Sequence, residues 1–152
     1  MALRVALFEP EIAGNVGNVL RLCACMGAAV DLIEPLGFVW DDKRVRRAAM
    51  DYIDHVEVRR HADWEAFRHD IGARRLVLFT TRAIDSSYDF AYRADDVLLF
   101  GKESAGVTDA VRSSVNASVR LPMRAGVRSL NLSTSAGLAL GEAMRQTGTL
   151  PT

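Results

Sequence analysis

The chain has 152 residues, of which 49% are hydrophobic and 25% are charged. This length fits one globular domain with a substantial core, and the composition excludes a disordered or fibrous protein. The 19 basic and 19 acidic residues cancel, so the net charge favours no class of partner by itself.

Membrane insertion and secretion are not expected. No apolar run approaches the roughly 20 residues that a membrane helix needs, and Glu9 follows too soon after the first residues for a secretory signal. Cys23 and Cys25 are two apart in a helical pattern, so they point to different sides and favour neither a disulfide nor a metal pair. We expect a single domain over residues 1–152, in the reducing cytoplasm.

Apolar runs and helical periodicities alternate along the whole chain. They predict strands over residues 4–8, 29–34, 55–58, 75–80, 97–100 and 119–121, and helices over 15–27, 41–50, 64–69, 109–115 and from 131 onward. Cap and stop residues mark several ends, such as Asp63 before one helix and Gly27 and Gly72 after two others. The polar residues 83–93 favour an ordered loop or a short helix.

Most predicted strands are continuously apolar rather than alternating, which is typical of a parallel sheet with helices on both faces. We therefore predict an α/β fold. Ligands of such sheets bind beyond the carboxyl ends of the strands. Four loops follow strand ends with glycine or polar residues, namely 9–18, 80–81, 101–106 and 123–131. We expect the site where these loops meet.

Two of these loops allow more than one interpretation. Gly14 and Gly17 have the spacing G-x-x-G, which is only a weak dinucleotide signal without the full glycine pattern, and Asp31 inside the next strand adds little to it. Residues 129–133 are either the capped start of a buried helix or a loop whose amides and carbonyls contact a small molecule. Local sequence does not choose between these readings.

Three motifs occur along the chain in a fixed order. They are Asn15-x-Gly17-Asn18-x-x-Arg21, then Leu99-Phe100-Gly101-x-Glu103-x-x-Gly106, then Leu121-Pro122-Met123 followed by Ser129-Leu130-Asn131-Leu132-Ser133. Together they resemble the motifs of the SPOUT-class RNA ribose 2′-O-methyltransferases. Residues 8–12, 21–24 and 34–44 further resemble the small members of the class that modify cytidine or uridine 34 of tRNA.

The resemblance implies a fold, a reaction and partners. The fold is a single SPOUT domain, a mostly parallel sheet with helices on both faces and a C-terminal trefoil knot. The reaction is transfer of a methyl group from S-adenosylmethionine to a ribose 2′-hydroxyl of tRNA at wobble nucleotide 34, leaving S-adenosylhomocysteine and needing no metal. The partners are tRNA and a second copy of the chain, because the homodimer completes the RNA site.

The resemblance also assigns roles to residues. The cofactor is expected against Phe79, Thr80, Thr81, Gly101, Leu121, Met123, Ser129 and Leu130. The catalytic centre is expected at Arg21, Glu103, Ser129 and Asn131. Arg21 would bind the target phosphate and orient the 2′-oxygen; because a guanidinium stays protonated in proteins, we do not cast it as a base. Glu103 would pair with Arg21 or lie near the sulfonium, or else simply begin a helix.

Arginine clusters predict an RNA-binding face, with an ordinary solvated surface as the alternative. The candidate RNA contacts are Asn15, Asn18, Arg21, Arg44, Arg46, Arg47, Arg124 and Arg128. For Asn15, Asn18, Ser129 and Asn131, helix capping is an equally good explanation. Two rival functions stay open: the same reaction at another tRNA or ribosomal RNA position, and a non-catalytic RNA- or cofactor-binding domain of the same fold.

Overall fold

A computed structural model describes residues 2–152 and shows one six-stranded sheet at the centre of the chain. The strands are β1 (Arg4–Phe8), β2 (Ala29–Ile33), β3 (Val58–His61), β4 (Leu76–Phe79), β5 (Val97–Phe100) and β6 (Ala117–Val119). Their order is β3-β2-β1-β5-β4-β6, and every neighbouring pair is parallel. The parallel sheet predicted from the apolar runs is confirmed.

The described residues contain five α-helices, four between strands and one after the last strand: α1 (Ala13–Met26), α2 (Asp42–Ala48), α3 (Trp64–Ile71), α4 (Asp109–Ser114) and α5 (Leu132–Thr147). The predicted caps are present, since Asp41 accepts from the Lys43 amide and Asp63 from the Ala66 amide. Gly27 ends α1 at φ 78, a left-handed conformation that glycine adopts without the steric cost of a Cβ.

Side chains of the four central strands alternate between two hydrophobic cores. Val5 and Leu7 of β1 lie in one core with helices α1, α2 and α5. Ala6 and Phe8 lie in the other, with α3 and α4. Helices therefore cover both faces of the sheet, as predicted, because a strand buried on both sides needs apolar partners on both sides. Within residues 2–152, no helix combines the length and hydrophobicity needed to cross a membrane.

The predicted strand over residues 55–58 is wrong. Tyr52–His55 form a short 3₁₀ helix, and the strand begins only at Val58 and runs to His61. Its central residues, Arg59 and Arg60, are exposed. Charged residues are common on edge strands because they prevent pairing with other chains, and for the same reason they remove the apolar signal from the sequence.

Near the end of the sheet, one strand is shifted from its predicted position, and a polar segment adopts the first of its two predicted states. The strand expected over 119–121 is Ala117–Val119, and residues 83–93 form a loop without a helix. The chain beyond β6 instead joins this loop: the Arg120 amide donates to the Asp85 carbonyl and the Ser87 amide to the Arg120 carbonyl, both at 2.8 Å. The same loop reaches α5, since the Tyr92 amide donates to Gln146 Oε1 at 3.0 Å.

A buried ion network links the three strands at one side of the sheet. Arg4 of β1 donates to both carboxylate oxygens of Asp31 in β2, at 2.6 and 3.0 Å. His61 of β3 lies 2.8 Å from the same carboxylate, through its Nε2. Asp31 is completely buried, so its charge depends on these partners. This structural role, rather than a dinucleotide site, explains Asp31.

Removing the Asp31 charge should destabilise the fold strongly. We expect Asp31→Asn to lower the free energy of unfolding by about 3–5 kcal/mol, because it removes the buried counterion of the Arg4 guanidinium. Glu57→Gln is the matched control, since the half-exposed Glu57 also bonds Arg4, at 3.2 Å; it should cost less than about 1 kcal/mol. Urea denaturation measures both, and equal losses would contradict this assignment.

Candidate functional site

A cavity of about 770 Å³ opens at the carboxyl ends of β4 and β5, beside the chain that follows β6. Its volume lies in the range of small-molecule sites in proteins. Its walls come from the loops that were predicted to form the site. The lining comprises Ile12, Asn15, residues 78–82, residues 100–107, Arg112, Leu121, Met123, residues 128–132 and Ser135. The predicted meeting place of the loops is therefore confirmed.

The residues predicted to hold the cofactor meet at this cavity. All eight of them line it, namely Phe79, Thr80, Thr81, Gly101, Leu121, Met123, Ser129 and Leu130. Three of the four predicted catalytic residues, Glu103, Ser129 and Asn131, line it too. Among the predicted RNA contacts, only Asn15 and Arg128 belong to the lining.

The loop between β5 and α4 is closed tightly on itself. Lys102 and Gly106 exchange backbone hydrogen bonds of 3.1 and 2.9 Å. A Cβ on Gly101 would lie 2.5 Å from the Gly106 backbone, so only glycine permits this close approach. The spacing of the two glycines in the second motif is thus explained by the geometry of the loop.

Glu103 joins this loop to the start of α1. Its Oε1 accepts from the Glu11 amide at 2.9 Å, and its Oε2 accepts from the Ile12 amide and Asn15 Nδ2, both at 3.1 Å. Ile12, at the N-cap position of α1, offers no side-chain acceptor. A carboxylate at a helix N-terminus satisfies free amides and is favoured by the helix dipole. Glu103 therefore caps α1 from another part of the chain.

Glu11 makes the reciprocal connection. Its carboxylate accepts from the Ser104 amide at 2.8 Å and from the Ser104 hydroxyl at 2.9 Å. These hydrogen bonds lower the pKa of the Glu11 carboxyl. Together, Glu11 and Glu103 bond the two loops in both directions; we call these bonds the carboxylate clasp.

Asn15 and Asn131 extend the clasp to α5. Asn131 Nδ2 donates to Asn15 Oδ1 at 3.1 Å, while Asn131 Oδ1 accepts from the amides of Ser133 and Thr134 at 2.9 and 3.3 Å. Asn131 is thus the N-cap of α5, which agrees with the helix-capping interpretation of this residue. It also lines the cavity. Asn15 is buried with both ends of its amide bonded, whereas Asn18 is exposed.

Arg21 lies outside the cavity of its own chain. It is exposed on α1, and its guanidinium carbon is 5.9 Å from the centre of the Tyr52 ring. The ion pair expected between Arg21 and Glu103 is wrong for this chain. The Glu103 oxygens already accept from the Glu11 amide, the Ile12 amide and Asn15 Nδ2. The Arg21 guanidinium instead lies over the Tyr52 ring.

The predicted arginine contacts form two exposed groups. Arg44, Arg46 and Arg47 lie on α2, and Arg124 and Arg128 lie in the loop before α5. Arg46 bonds both oxygens of Asp54, at 2.9 and 3.1 Å, and these hydrogen bonds raise its pKa. An RNA phosphate would therefore compete with Asp54 for Arg46.

Sequence reasoning missed two polar residues of this region, Glu11 and Arg112. Glu11 lies in the segment 8–12 that resembles the family, but the sequence did not predict its hydrogen bonds to Ser104. Arg112 lies on α4 and lines the cavity, but it belongs to none of the three motifs. Folding, rather than spacing, brings it to the site.

One group of possible metal ligands was also not visible in the spacing. Asp31, His61 and Asp70 place one ligand atom each within 4.8 Å of one another. Arg4 and His61 already bond the Asp31 carboxylate, so a cation would have to displace a buried guanidinium. The geometry is that of the ion network described above rather than of an open metal site.

The sequence of the chain is similar to those of known RNA methyltransferases. The profile of the SpoU rRNA Methylase family matches residues 2–141. A tRNA (cytidine(34)-2'-O)-methyltransferase of Beijerinckia indica is 49% identical over 149 residues, which cover 96% of this chain and 92% of that protein.

Solved structures agree with the sequence comparison. One solved to study 2-OH methylation of C/U34 on tRNA superposes with a TM-score of 0.91 at 39% identity, covering 95% of each chain. An AdoMet-bound rRNA methyltransferase from Sinorhizobium meliloti superposes with a TM-score of 0.85 at 28% identity, covering 95% of this chain and 56% of that one.

The clasp should contribute measurably to stability. In Glu103→Gln the amide group would present N–H donors towards the donors of α1, so we expect the free energy of unfolding to fall by about 1–3 kcal/mol. Glu9→Gln is the matched control in the same two loops, because Glu9 makes only a 3.5 Å ion pair with Lys102. Its effect should stay below about 1 kcal/mol. Urea denaturation showing Glu103→Gln to be as mild as the control would contradict the capping role.

Proposed function

Because the chain belongs to the SpoU rRNA Methylase family, we propose that it methylates the ribose 2′-hydroxyl of tRNA nucleotide 34 with S-adenosylmethionine. The observation that carries the proposal is the meeting of all eight expected cofactor residues at one cavity. Family membership confirms the predicted SPOUT fold class with its knotted C-terminal segment.

The cavity fits the proposed cofactor chemically. Phe79, Phe100 and Leu121 supply apolar surface, and the Phe79 and Phe100 rings stack at 4.9 Å. The backbone of Gly101 and of residues 128–131 lines the cavity and offers amides and carbonyls, which suit the recognition of an adenine among apolar walls. When bound, S-adenosylmethionine supplies an electrophilic methyl group on its sulfonium.

Positioning is the main task left to the protein in such a transfer. We propose that Arg21 binds the phosphate of the target nucleotide, orients its 2′-oxygen and stabilises negative charge developing there. Ser129 and Asn131 lie at the cavity and offer polar groups to substrate or cofactor. Glu103 acts through the clasp, holding α1 and the glycine loop in place.

Arg21 lies outside its own cavity, which supports a homodimer in which a second copy completes the RNA site. The exposed apolar residues Ile12, Leu130 and Leu138 lie near or on α1 and α5 and would be covered in such a pair. We propose that residues 1–152 act as one methyltransferase domain and that the activity is cytoplasmic, where tRNA is modified.

For RNA binding we propose the exposed cations beside the cavity and on α2. Arg128 lines the cavity, Arg124 is exposed in the same loop before α5, and Arg44 and Arg47 are exposed on α2. These side chains are available for bidentate phosphate contacts. Asn18 is also exposed, whereas Asn15 contributes by holding Glu103 and Asn131.

The same site would serve another RNA position. The name of the matched family refers to rRNA methylases, so methylation of ribosomal RNA is the second candidate function. Transfer of labelled methyl groups into tRNA and rRNA that lack the modification, followed by nuclease digestion, separates the two. Label at the 2′-oxygen of tRNA nucleotide 34 supports the proposal. Label in rRNA alone would contradict it, and cofactor binding without transfer would support a non-catalytic domain.

Replacing Arg21 should separate catalysis from cofactor binding. We expect Arg21→Ala to lower kcat about 10²–10³-fold, the usual effect of removing a group that stabilises transition-state charge. The affinity for S-adenosylhomocysteine, measured by calorimetry, should not change. Arg68→Ala on α3, away from the cavity, is the control and should keep full turnover. Full turnover in Arg21→Ala would remove this residue from the mechanism.

A further inference from the structure

The exposed Arg21 side chain lies over an aromatic ring that is itself open to solvent. Its guanidinium carbon is 5.9 Å from the centre of the Tyr52 ring, within the range of cation–π contacts. Tyr52 is 39% exposed. Among residues 2–152, no acidic side chain forms an ion pair with Arg21. Within the described chain, the ring is therefore the side-chain partner of this arginine.

Gly17 of the first motif brings the ring to Arg21. The two residues are four apart on α1, so they lie one turn apart on the same side of the helix. A Cβ on Gly17 would lie 2.1 Å from the Ala48 Cβ and 2.8 Å from the Ala48 carbonyl carbon, so only glycine allows α2 to end this close to α1. Tyr52 follows Ala48 by four residues. The close approach thus places the chain after α2 beside Arg21.

The turn before Tyr52 has a well-determined backbone. Met50 and Asp51 have φ values of 52 and 62, in the left-handed region that is uncommon for residues other than glycine. The Asp51 amide donates to the Arg46 carbonyl at 2.8 Å, and the Tyr52 amide donates to the Ala49 carbonyl at 3.0 Å. Such a backbone persists when the surrounding structure determines it. The position of Tyr52 is therefore set by the fold.

Two neighbours of Tyr52 anchor the 3₁₀ helix that it begins. Ile53 packs against the core that contains α1. Asp54 accepts from both terminal nitrogens of Arg46, at 2.9 and 3.1 Å, and so joins the 3₁₀ helix to α2. The 3₁₀ helix also packs against α1. With Ile53 directed inward, the adjacent Tyr52 stays at the surface under the Arg21 guanidinium.

We propose that Tyr52 is a positioning residue for methyl transfer, because its ring holds the Arg21 guanidinium in the direction in which it binds the target phosphate. This inference rests on the proposed function for the role of Arg21. A free arginine samples many rotamers, and binding costs less when one of them is already favoured. A ring does not neutralise a guanidinium as a carboxylate does, so Arg21 keeps its charge for a phosphate.

Removing the ring should slow methyl transfer without changing cofactor binding. We expect Tyr52→Leu to lower kcat with tRNA about 3- to 30-fold, which corresponds to the strength of cation–π contacts, and to leave KM for S-adenosylmethionine unchanged. Tyr52→Phe keeps the ring and should stay within about twofold of wild type. Tyr88→Leu removes another exposed tyrosine, which lies outside the cavity lining. It is the control and should keep full turnover.

A double-mutant cycle tests whether Tyr52 acts through Arg21. In Arg21→Ala the ring has no cation to hold, so adding Tyr52→Leu should lower kcat no further. A ring that served only the fold would slow both backgrounds by the same factor, which would overturn the proposal. Tyr52→Gln, with a polar side chain suited to an exposed position, gives the same comparison if the leucine variant fails to fold.

NMR of the ligand-free protein detects the contact without any reaction. Protons above an aromatic ring are shifted upfield, so the Arg21 Hδ protons should show a ring-current shift in wild type and in Tyr52→Phe. Tyr52→Leu should lose this shift. Its absence from the wild-type spectrum would overturn the proposal, because the ring would then not hold the guanidinium.

The kinetic results separate this inference from the proposed function. Transfer by wild type with full turnover in Tyr52→Leu would overturn the positioning role alone. Weaker tRNA binding in Tyr52→Leu that persists in the Arg21→Ala background would overturn it too, and would assign the ring to stacking on an RNA base. A wild-type protein that shows the ring-current shift but methylates no RNA would overturn the proposed function, and this inference with it.

Discussion

The carboxylate clasp between Glu11 and Glu103 is the interaction on which the site depends. β1 and β5 are neighbours in the sheet, so the loops that leave their carboxyl ends begin side by side. Each loop then gives a carboxylate to backbone amides of the other. Charge-assisted bonds of this kind are about twice as strong as neutral ones. They fix the start of α1, the glycine loop and, through Asn15, the start of α5.

This arrangement suits a reaction that needs little chemistry from the protein. Methyl transfer from a sulfonium depends on bringing an oxygen into line with the methyl group, so a cavity whose walls are already bonded together supplies much of the required order. The clasp also explains why Glu103 does not pair with Arg21. The arginine stays free on the surface of α1, where it can serve a site completed by a second copy.

The sequence predicted the sheet well because its strands are buried on both faces. β1 and β5 have the predicted bounds, and the four nominated loops all reach the same edge of the sheet. β3 was misplaced because Arg59 and Arg60 interrupt its apolar pattern. The knot and the roles of the eight cofactor residues came from resemblance alone, since no periodicity encodes the threading of a chain.

Side-chain partners were the least predictable part of the site. Pairing with Arg21 was one of three interpretations of Glu103, because both residues belong to the motifs. A motif gives the order of residues and not the donors that surround them. Arg112 belongs to none of the motifs, and only the folded chain shows that it lines the cavity. The buried Arg4, Asp31 and His61 network likewise joins residues that are far apart in the sequence.

We expect the clasp to hold the cavity in its binding form before any ligand arrives. Amide hydrogen exchange of the ligand-free protein, resolved by NMR, tests this most directly at the Glu11, Ile12 and Ser104 amides. If the loops are joined as described, these three amides exchange much more slowly than those of an unstructured peptide, and added S-adenosylhomocysteine changes them little. Exchange at the unstructured rate that slows only when ligand binds would contradict a preformed site.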